Sequence, residues 1–221
     1  MNEELCLFEH DGVPANGNVH TEVDTPEKRE VLLHNVERAC AILLDSLLID
    51  WKRDHNTVDT PKRMARMYVN EVARGRFDPM PDITYFPNAK KLDQMMVVGP
   101  VDVKSMCSHH FVPFIGKAWL GVLPSAEGKL IGLSKFARIT DWVFRRPQIQ
   151  EEAVQMLAEI LYNNMQPKGL GIVVRCQHLC TYWRGVEQSA MEFTNSAVRG
   201  AFNEPAVRAE FFNLIRISEG M

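Results

Sequence analysis

Residues 95–123, MMVVGPVDVKSMCSHHFVPFIGKAWLGVL, contain the pattern that decides the fold. Apolar or alternating runs at 95–106 and 112–123 predict two β-strands, because successive side chains of a strand point to opposite faces. The segment CSHH at 107–110 joins the two runs and carries a thiol and two imidazoles. We therefore expect two strands whose connection holds side chains that can face one metal ion.

Helices are predicted both before and after these strands in the chain. The first begins with Thr25 as its cap and Pro26 at its first position. The predicted helices are 26–50, 60–74, 134–144, 148–164 and 205–215, and the further strands are 171–176 and 181–193. Helices first, then strands interrupted by a helical pair, indicate an α+β fold. We expect a flexible arm with little order at 1–24, a helical N-terminal region at 25–92 and a catalytic domain at 93–221, the last two forming one structural unit.

Composition and charge narrow the class of protein. The chain has 221 residues, of which 46% are hydrophobic and 24% charged, as in a soluble single-domain protein. Its 25 basic and 28 acidic residues give a net charge of −3, which argues against nucleic acid as a partner. Residues 1–7 lack the basic and apolar regions of a secretory signal and no apolar run reaches membrane-spanning length, so we expect neither a signal nor a membrane span. Five cysteines at irregular spacing favour a reducing cytoplasm with free thiols over a disulfide framework.

The sequence contains two groups of cysteine and histidine that suit a metal site. They are CSHH at 107–110 and, about 70 residues later, CQHLC at 176–180. Two thiolates and one imidazole bind zinc and leave its fourth position open, as catalytic zinc sites require. We expect the ligands to be Cys107, His110 and Cys180, and the protein to be an enzyme that activates water.

The two groups contain two further histidines and one further cysteine, whose roles are open. His109 and His178 would lie beside the metal as proton carriers. Cys176 could be a fourth ligand, because it lies four residues before Cys180 and residues four apart in a strand share a face. The site would then be closed and structural. The cysteines could also be ordinary buried residues without a metal, although the clustering of both groups disfavours this interpretation.

Other charged residues indicate an anionic, purine-like ligand. Ser134, Lys135 and Arg138 lie at a predicted helix start and could hold phosphate groups. Arg184 follows Cys180 by four residues and could bind an anion with its two forked nitrogens. Glu151 could accept two N–H donors from a purine edge. Each of these residues, taken alone, is more often an exposed charge or a helix-start glutamate.

Four motifs in this order resemble the GTP cyclohydrolase I family. They are CSHHFVPF at 107–114, GLSKFAR at 132–138, RPQIQE at 146–151 and HLCTYWRGV at 178–186. The resemblance extends from about residue 60 to 215. It implies α+β chains of the tunnelling fold (T-fold), with N-terminal helices followed by an antiparallel sheet on which a helical pair packs. It also implies a homodecamer of two stacked pentameric rings, with sites between subunits.

The resemblance also implies a role for each matching residue. Zinc would be bound by Cys107, His110 and Cys180, with His109 and His178 as catalytic histidines. GTP would be bound by Gln150, Glu151, Ser134, Lys135, Arg138, Arg184 and Arg66. The implied reaction is hydrolysis at C8 of GTP, loss of formate and ring closure to 7,8-dihydroneopterin triphosphate, without a redox cofactor. The sequence departs from the family at Ser108, where glutamate is common.

Three further functions would use this region of the sequence differently. A pterin synthase of the tunnelling fold would need three histidines around zinc, and a nitrile reductase of that fold would need a nucleophilic cysteine and a nicotinamide cofactor. A non-catalytic zinc module that binds a purine or pterin would use Cys176 to close the site. The expected set of two cysteines and one histidine fits an open catalytic site better than any of these.

Overall fold

The computed structural model describes residues 12–220, which divide into two compact units. Within the first, residues 12–79, helix α1 (Pro26–Ser46) is followed by α2 (Thr60–Arg66), a π-helical turn (Met67–Val72) and α3 (Arg74–Phe77). The hydroxyl of Thr25 accepts a hydrogen bond from the Lys28 N–H and caps α1, as predicted. Helix α1 ends four residues earlier than expected, at Ser46.

Residues 14–18, within the predicted arm, form hydrogen bonds with the segment 75–78. The Asn18 side-chain amide donates to the carbonyl oxygens of Gly75 and Asp78, at 2.9 and 2.8 Å. The Arg76 guanidinium donates to the carbonyl oxygen of Pro14 at 2.6 Å. These contacts connect part of the predicted arm to the segment 75–78, and bonds from side chain to backbone leave no periodic pattern that a sequence could reveal. Residues 1–11 of the predicted arm lie outside the described residues.

The second unit, residues 80–220, contains a five-stranded sheet. Its elements are β1 (Tyr85–Pro87), β2 (Met96–Cys107), β3 (Pro113–Leu123), β4 (Lys129–Ile131), α4 (Leu133–Phe144), β5 (Pro147–Gln148), α5 (Gln150–Met165), β6 (Gly169–His178), α6 (Leu179–Tyr182), β7 (Glu192–Gly200) and α7 (Pro205–Ser218). The strand order is β5-β2-β3-β6-β7. All pairings in it are antiparallel except β2 with β5, while β1 and β4 form a separate two-stranded sheet.

Helices α4 and α5 pack on the five-stranded sheet and make the main core. Leu120 and Ile172 of the sheet and Ile139, Leu157 and Leu161 of the two helices are fully buried together. A second cluster around Phe202 and Phe211 contacts strand residues of the opposite alternation, such as Trp119. The predicted α+β arrangement, an antiparallel sheet covered by a helical pair, is confirmed.

The predicted strand at 181–193 is wrong. Strand β6 continues to His178, the helical turn α6 follows, and the last strand of the sheet begins only at Glu192. Gly185 and Glu187 have φ values of +65° and +51°, which are incompatible with a strand. Within residues 12–220, no helix combines the length and the apolar character needed to cross a membrane.

Candidate active site

Strand pairing brings the two cysteine and histidine groups together. The start of β3 lies beside the end of β6, with Phe114 opposite His178. Cys107 ends β2, and its N–H donates to the Val112 carbonyl oxygen at 2.9 Å, which closes the turn between β2 and β3. The two groups, distant in sequence, therefore meet at one end of the sheet.

Three side chains form a group that can hold a metal ion. The sulfur atoms of Cys107 and Cys180 and a ring nitrogen of His110 all lie within 4.8 Å of one another. Burial raises the pKa of the Cys180 thiol, and the neighbouring Cys107 raises it further. A bound cation would stabilise both thiolates. This soft donor set fits zinc, whose catalytic sites combine three protein ligands with one open position.

Cys176 is not part of this group. Cys176 is fully buried in β6 opposite Gly116, and burial raises the pKa of its thiol to about 12. The alternative of a closed zinc site with Cys176 as fourth ligand is therefore not formed.

A cavity of about 340 Å³ lies beside the three potential ligands. Its lining includes Cys107, His109, Gln150, Glu151, His178 and Cys180. A cavity of this size can enclose much of a small organic ligand. Two of the three predicted metal ligands, both predicted catalytic histidines and the predicted guanine-binding residues therefore surround one space.

His178 is held on three sides. Its ring stacks on Phe114, with centroids 4.7 Å apart and planes 8° apart, and it meets the Phe193 ring edge-on at 6.0 Å. Its Nε2 lies 2.9 Å from Oε1 of Gln150. Burial lowers the pKa of His178, while the Glu151 carboxylate acts in the opposite direction. His109, in contrast, is exposed.

Gln150 and Glu151 begin α5 but face different surroundings. Gln150 is fully buried, and its amide nitrogen lies within hydrogen-bond distance of Val174 O, Phe193 O and Asn195 Oδ1. Glu151 is exposed and lines the cavity. The side chain of Gln150 is thus occupied by protein partners, whereas the carboxylate of Glu151 is available to a ligand.

The residues expected to bind phosphate lie outside the described lining of the cavity. Ser134 and Arg138 are exposed on α4, and the Lys135 ammonium donates to the Asp82 carbonyl oxygen at 2.6 Å. Arg184 is exposed after α6. Arg66 is exposed at the end of α2 in the first unit. Their role in binding a substrate therefore stays a prediction.

Sequence reasoning missed the two aromatic contacts of His178. Phe114 lies in the quoted motif, but nothing in the sequence indicates that its ring stacks on a histidine 64 residues later. Phe193 was assigned to a strand that does not form. Only the pairing of β3, β6 and β7 brings both rings to His178.

Comparison with known proteins identifies the family. A sequence model of GTP cyclohydrolase I matches residues 36–216. GTP cyclohydrolase 1 of Streptomyces griseus is 40% identical over 71% of this chain and 78% of its own length. The Halalkalibacterium halodurans protein of the same name is 38% identical over 82% of this chain and 95% of its own. A solved archaeosine synthase overlays with a TM-score of 0.38 and 14% identity, covering 50% of this chain and 95% of that one, too loosely to bear on fold or function.

The matched residues contain every residue predicted for the site, and they include the whole five-stranded sheet with α4 and α5. The predicted tunnelling fold and the predicted class of enzyme are thereby confirmed. With this similarity along most of its length, the chain belongs to the GTP cyclohydrolase I family.

Proposed function

We propose that the chain hydrolyses GTP at C8, releases formate and forms 7,8-dihydroneopterin triphosphate, with zinc as its cofactor. One observation carries the proposal: Cys107, His110 and Cys180 converge in one group, and two of them, Cys107 and Cys180, line a cavity together with His178 and Glu151. A group of two thiols and one imidazole suits zinc with an open position, and a glutamate suits the N–H donors of guanine.

Cys107, His110 and Cys180 would hold the zinc ion. When bound, zinc supplies a Lewis acid that makes water a stronger nucleophile at neutral pH. Cys107 is buried and Cys180 is partly buried, which limits the access of bulk water to a metal ion held by their sulfur atoms. These residues therefore account for the attack of water on a carbon atom as unreactive as C8.

His178, His109 and Glu151 would act on the purine and the ribose. The Glu151 carboxylate accepts hydrogen bonds from the N–H groups of guanine and orients the base in the cavity. His178 exchanges protons with a nitrogen of the imidazole ring of the base as this ring opens, and His109 serves the ribose oxygen. Contacts with two aromatic rings restrict the motion of the His178 side chain and keep its imidazole at the cavity.

The cations of the chain would bind the triphosphate. Ser134, Lys135 and Arg138 come from one helix, and Arg184 follows the metal ligand Cys180 by four residues. Arg66 would complete the site with a guanidinium, whose planar fork suits a phosphate oxygen pair. We propose that the chains assemble as a decamer of two pentamers, so that Arg66 serves the site of a neighbour. A reducing cytoplasm would keep the ligand thiols available.

The other functions considered from sequence receive no specific support. A pterin synthase would require three histidines around the metal, but the group here has two thiols. A non-catalytic module closed by Cys176 would require that thiol in the group, and it lies outside. The hydrolysis of GTP is therefore the function that the geometry supports best.

The test is a product analysis with zinc-loaded protein and GTP. We expect one formate for each GTP consumed and, after oxidation, a fluorescent pterin that carries the triphosphate. Removal of zinc by a chelator should abolish both products, and added zinc should restore them. A protein with full zinc occupancy that yields neither formate nor pterin would contradict the proposal.

A further inference from the structure

We propose that Gln150 is a positioning residue that fixes the tautomer of His178, so that His178 exchanges protons through Nδ1. The catalytic part of this inference rests on the proposed function, whereas the tautomer does not. His178 and Gln150 meet inside the protein, with Nε2 of the ring 2.9 Å from Oε1 of the amide. Only the direction of that hydrogen bond has to be established.

The surroundings of Gln150 decide which end of its amide faces His178. The nitrogen lies 3.1 Å from Val174 O, 3.2 Å from Phe193 O and 2.8 Å from Asn195 Oδ1. Two of these three oxygens belong to backbone carbonyls, which only accept hydrogen bonds. A reversed amide would place its own oxygen against them in a fully buried position, at the cost of two unmade hydrogen bonds. The amide oxygen therefore faces His178.

The direction of the hydrogen bond fixes the proton on His178. An amide oxygen only accepts, so Nε2 must carry the hydrogen. In a neutral imidazole the other nitrogen then has a free lone pair. Within residues 12–220, no protein group shares a hydrogen bond with Nδ1 of His178. Nδ1 is consequently the atom that can take a proton from, or return it to, a bound ligand.

The aromatic neighbours support the same orientation. One face of the His178 ring stacks on Phe114, and the Phe193 ring packs against it nearly at a right angle. These two contacts restrict the motion of the His178 side chain. Rotation of the ring by half a turn would replace Nε2 by a carbon atom at Gln150 and would lose the hydrogen bond. Stacking alone permits both orientations, and Gln150 selects one of them.

This role differs from the substrate binding expected for Gln150. Its side chain is fully buried, and the hydrogens of its amide point to strands β6 and β7. The neighbouring Glu151 is the exposed residue with unused acceptors. Gln150 therefore acts on the reaction through His178, without touching GTP by its side chain.

Neutron diffraction on deuterated crystals of the metal-loaded protein tests the tautomer directly. The experiment needs no substrate and no turnover, so its result is independent of whether the protein hydrolyses GTP. We expect deuterium on Nε2 of His178, whatever the state of Nδ1. An Nε2 without deuterium, with Nδ1 as the only deuterated nitrogen, would overturn the proposal.

Steady-state kinetics test the catalytic role. Gln150→Met keeps the size of the side chain but cannot accept from His178, and we expect kcat to fall about 10- to 100-fold with KM and zinc content little changed. Gln150→Glu can still accept from Nε2 through a carboxyl oxygen and should recover part of kcat. A Gln150→Met variant that folds and keeps kcat, or that changes only KM, would overturn the role. If Gln150→Met does not fold, a Gln150→Glu variant with wild-type zinc content but no more than background kcat would overturn it instead.

Asn88→Leu is the matched control for lost stability. Asn88 is also a buried amide whose nitrogen donates to two backbone carbonyls, those of Leu92 and Ser125, but it lies away from the cavity lining. We expect Asn88→Leu to lower the unfolding free energy about as much as Gln150→Met while it retains kcat. Equal losses of kcat in both variants would assign the effect of Gln150→Met to stability and contradict the positioning role. If the wild-type protein releases no formate, the proposed function fails while the neutron result still stands.

Discussion

Two cysteines four residues apart, Cys176 and Cys180, have different surroundings. Cys180 lies on the helical turn after β6, close to Cys107. Cys176 lies within β6 and is buried in the hydrophobic core. An even spacing would have kept both on one face of a strand, had the strand continued. The end of β6 at His178 separates the thiol of the proposed metal ligand Cys180 from the buried thiol of Cys176.

The buried thiol of Cys176 should make the folded protein less stable in alkaline solution. In the folded chain its pKa is raised to about 12, against about 8.5 for an unfolded cysteine. The unfolded state therefore loses this proton first, and stability falls as the pH rises from about 8.5 towards about 12, by at most about 1.4 kcal/mol per pH unit. Cys176→Ala should lose less unfolding free energy than wild type between about pH 8 and 10.5, measured by urea denaturation.

The zinc content of Cys176→Ser provides a second measurement on the same residue. Because Cys176 lies outside the group of potential ligands, we expect unchanged zinc stoichiometry and retained formate release. Loss of zinc from this variant would favour the closed, structural site. Equal alkaline destabilisation of wild type and Cys176→Ala would show that another group titrates.

At the scale of elements, helix α4 presents its predicted phosphate-binding residues near its start. Lys135 donates one hydrogen bond to Asp82 O, so two of its three N–H donors remain for an anion. Arg145 follows the other end of the same helix and is paired with Asp141 at 3.1 Å. Lys135, expected at the substrate, and Arg145, paired with Asp141, are therefore suitable for comparison by mutation.

Removal of the Lys135 charge should weaken GTP binding. We expect Lys135→Met to raise KM for GTP about 10-fold, with zinc content unchanged, because a charge-assisted hydrogen bond to a phosphate is lost. Arg145→Met removes the same charge from the helix and should leave KM within about twofold. Similar changes of KM in both variants would indicate a general effect of net charge and would contradict a phosphate site at the start of α4.

Elements with a strong period were predictable, and those fixed by distant contacts were not. Strands β2 and β3 and helices α4 and α5 lie close to their predicted positions, since each buries one regular face in the core. Strand β7 was misplaced because the residues after α6 turn at positive φ, which a pattern of apolar residues does not reveal. Likewise, the sequence motifs predicted that Cys107, His110 and Cys180 lie together, as they do, but the burial of Gln150 follows only from strand pairing.

At the scale of the whole molecule, we expect assembly into a decamer. The chain has a mass of 25.2 kDa, so a decamer would have about 250 kDa. Light scattering coupled to size-exclusion chromatography measures this mass directly. A monomer of full activity would contradict the proposal that Arg66 completes the site of a neighbouring chain.

The central claim is that one set of residues holds the metal and another moves protons. Zinc content and formate release, measured on the same samples of Cys180→Ala and His178→Ala, test it most directly. We predict that Cys180→Ala loses zinc and formate release together. We predict that His178→Ala keeps about one zinc per chain and loses formate release about 100-fold or more. Loss of zinc from His178→Ala, or retention of both properties by Cys180→Ala, would contradict the claim.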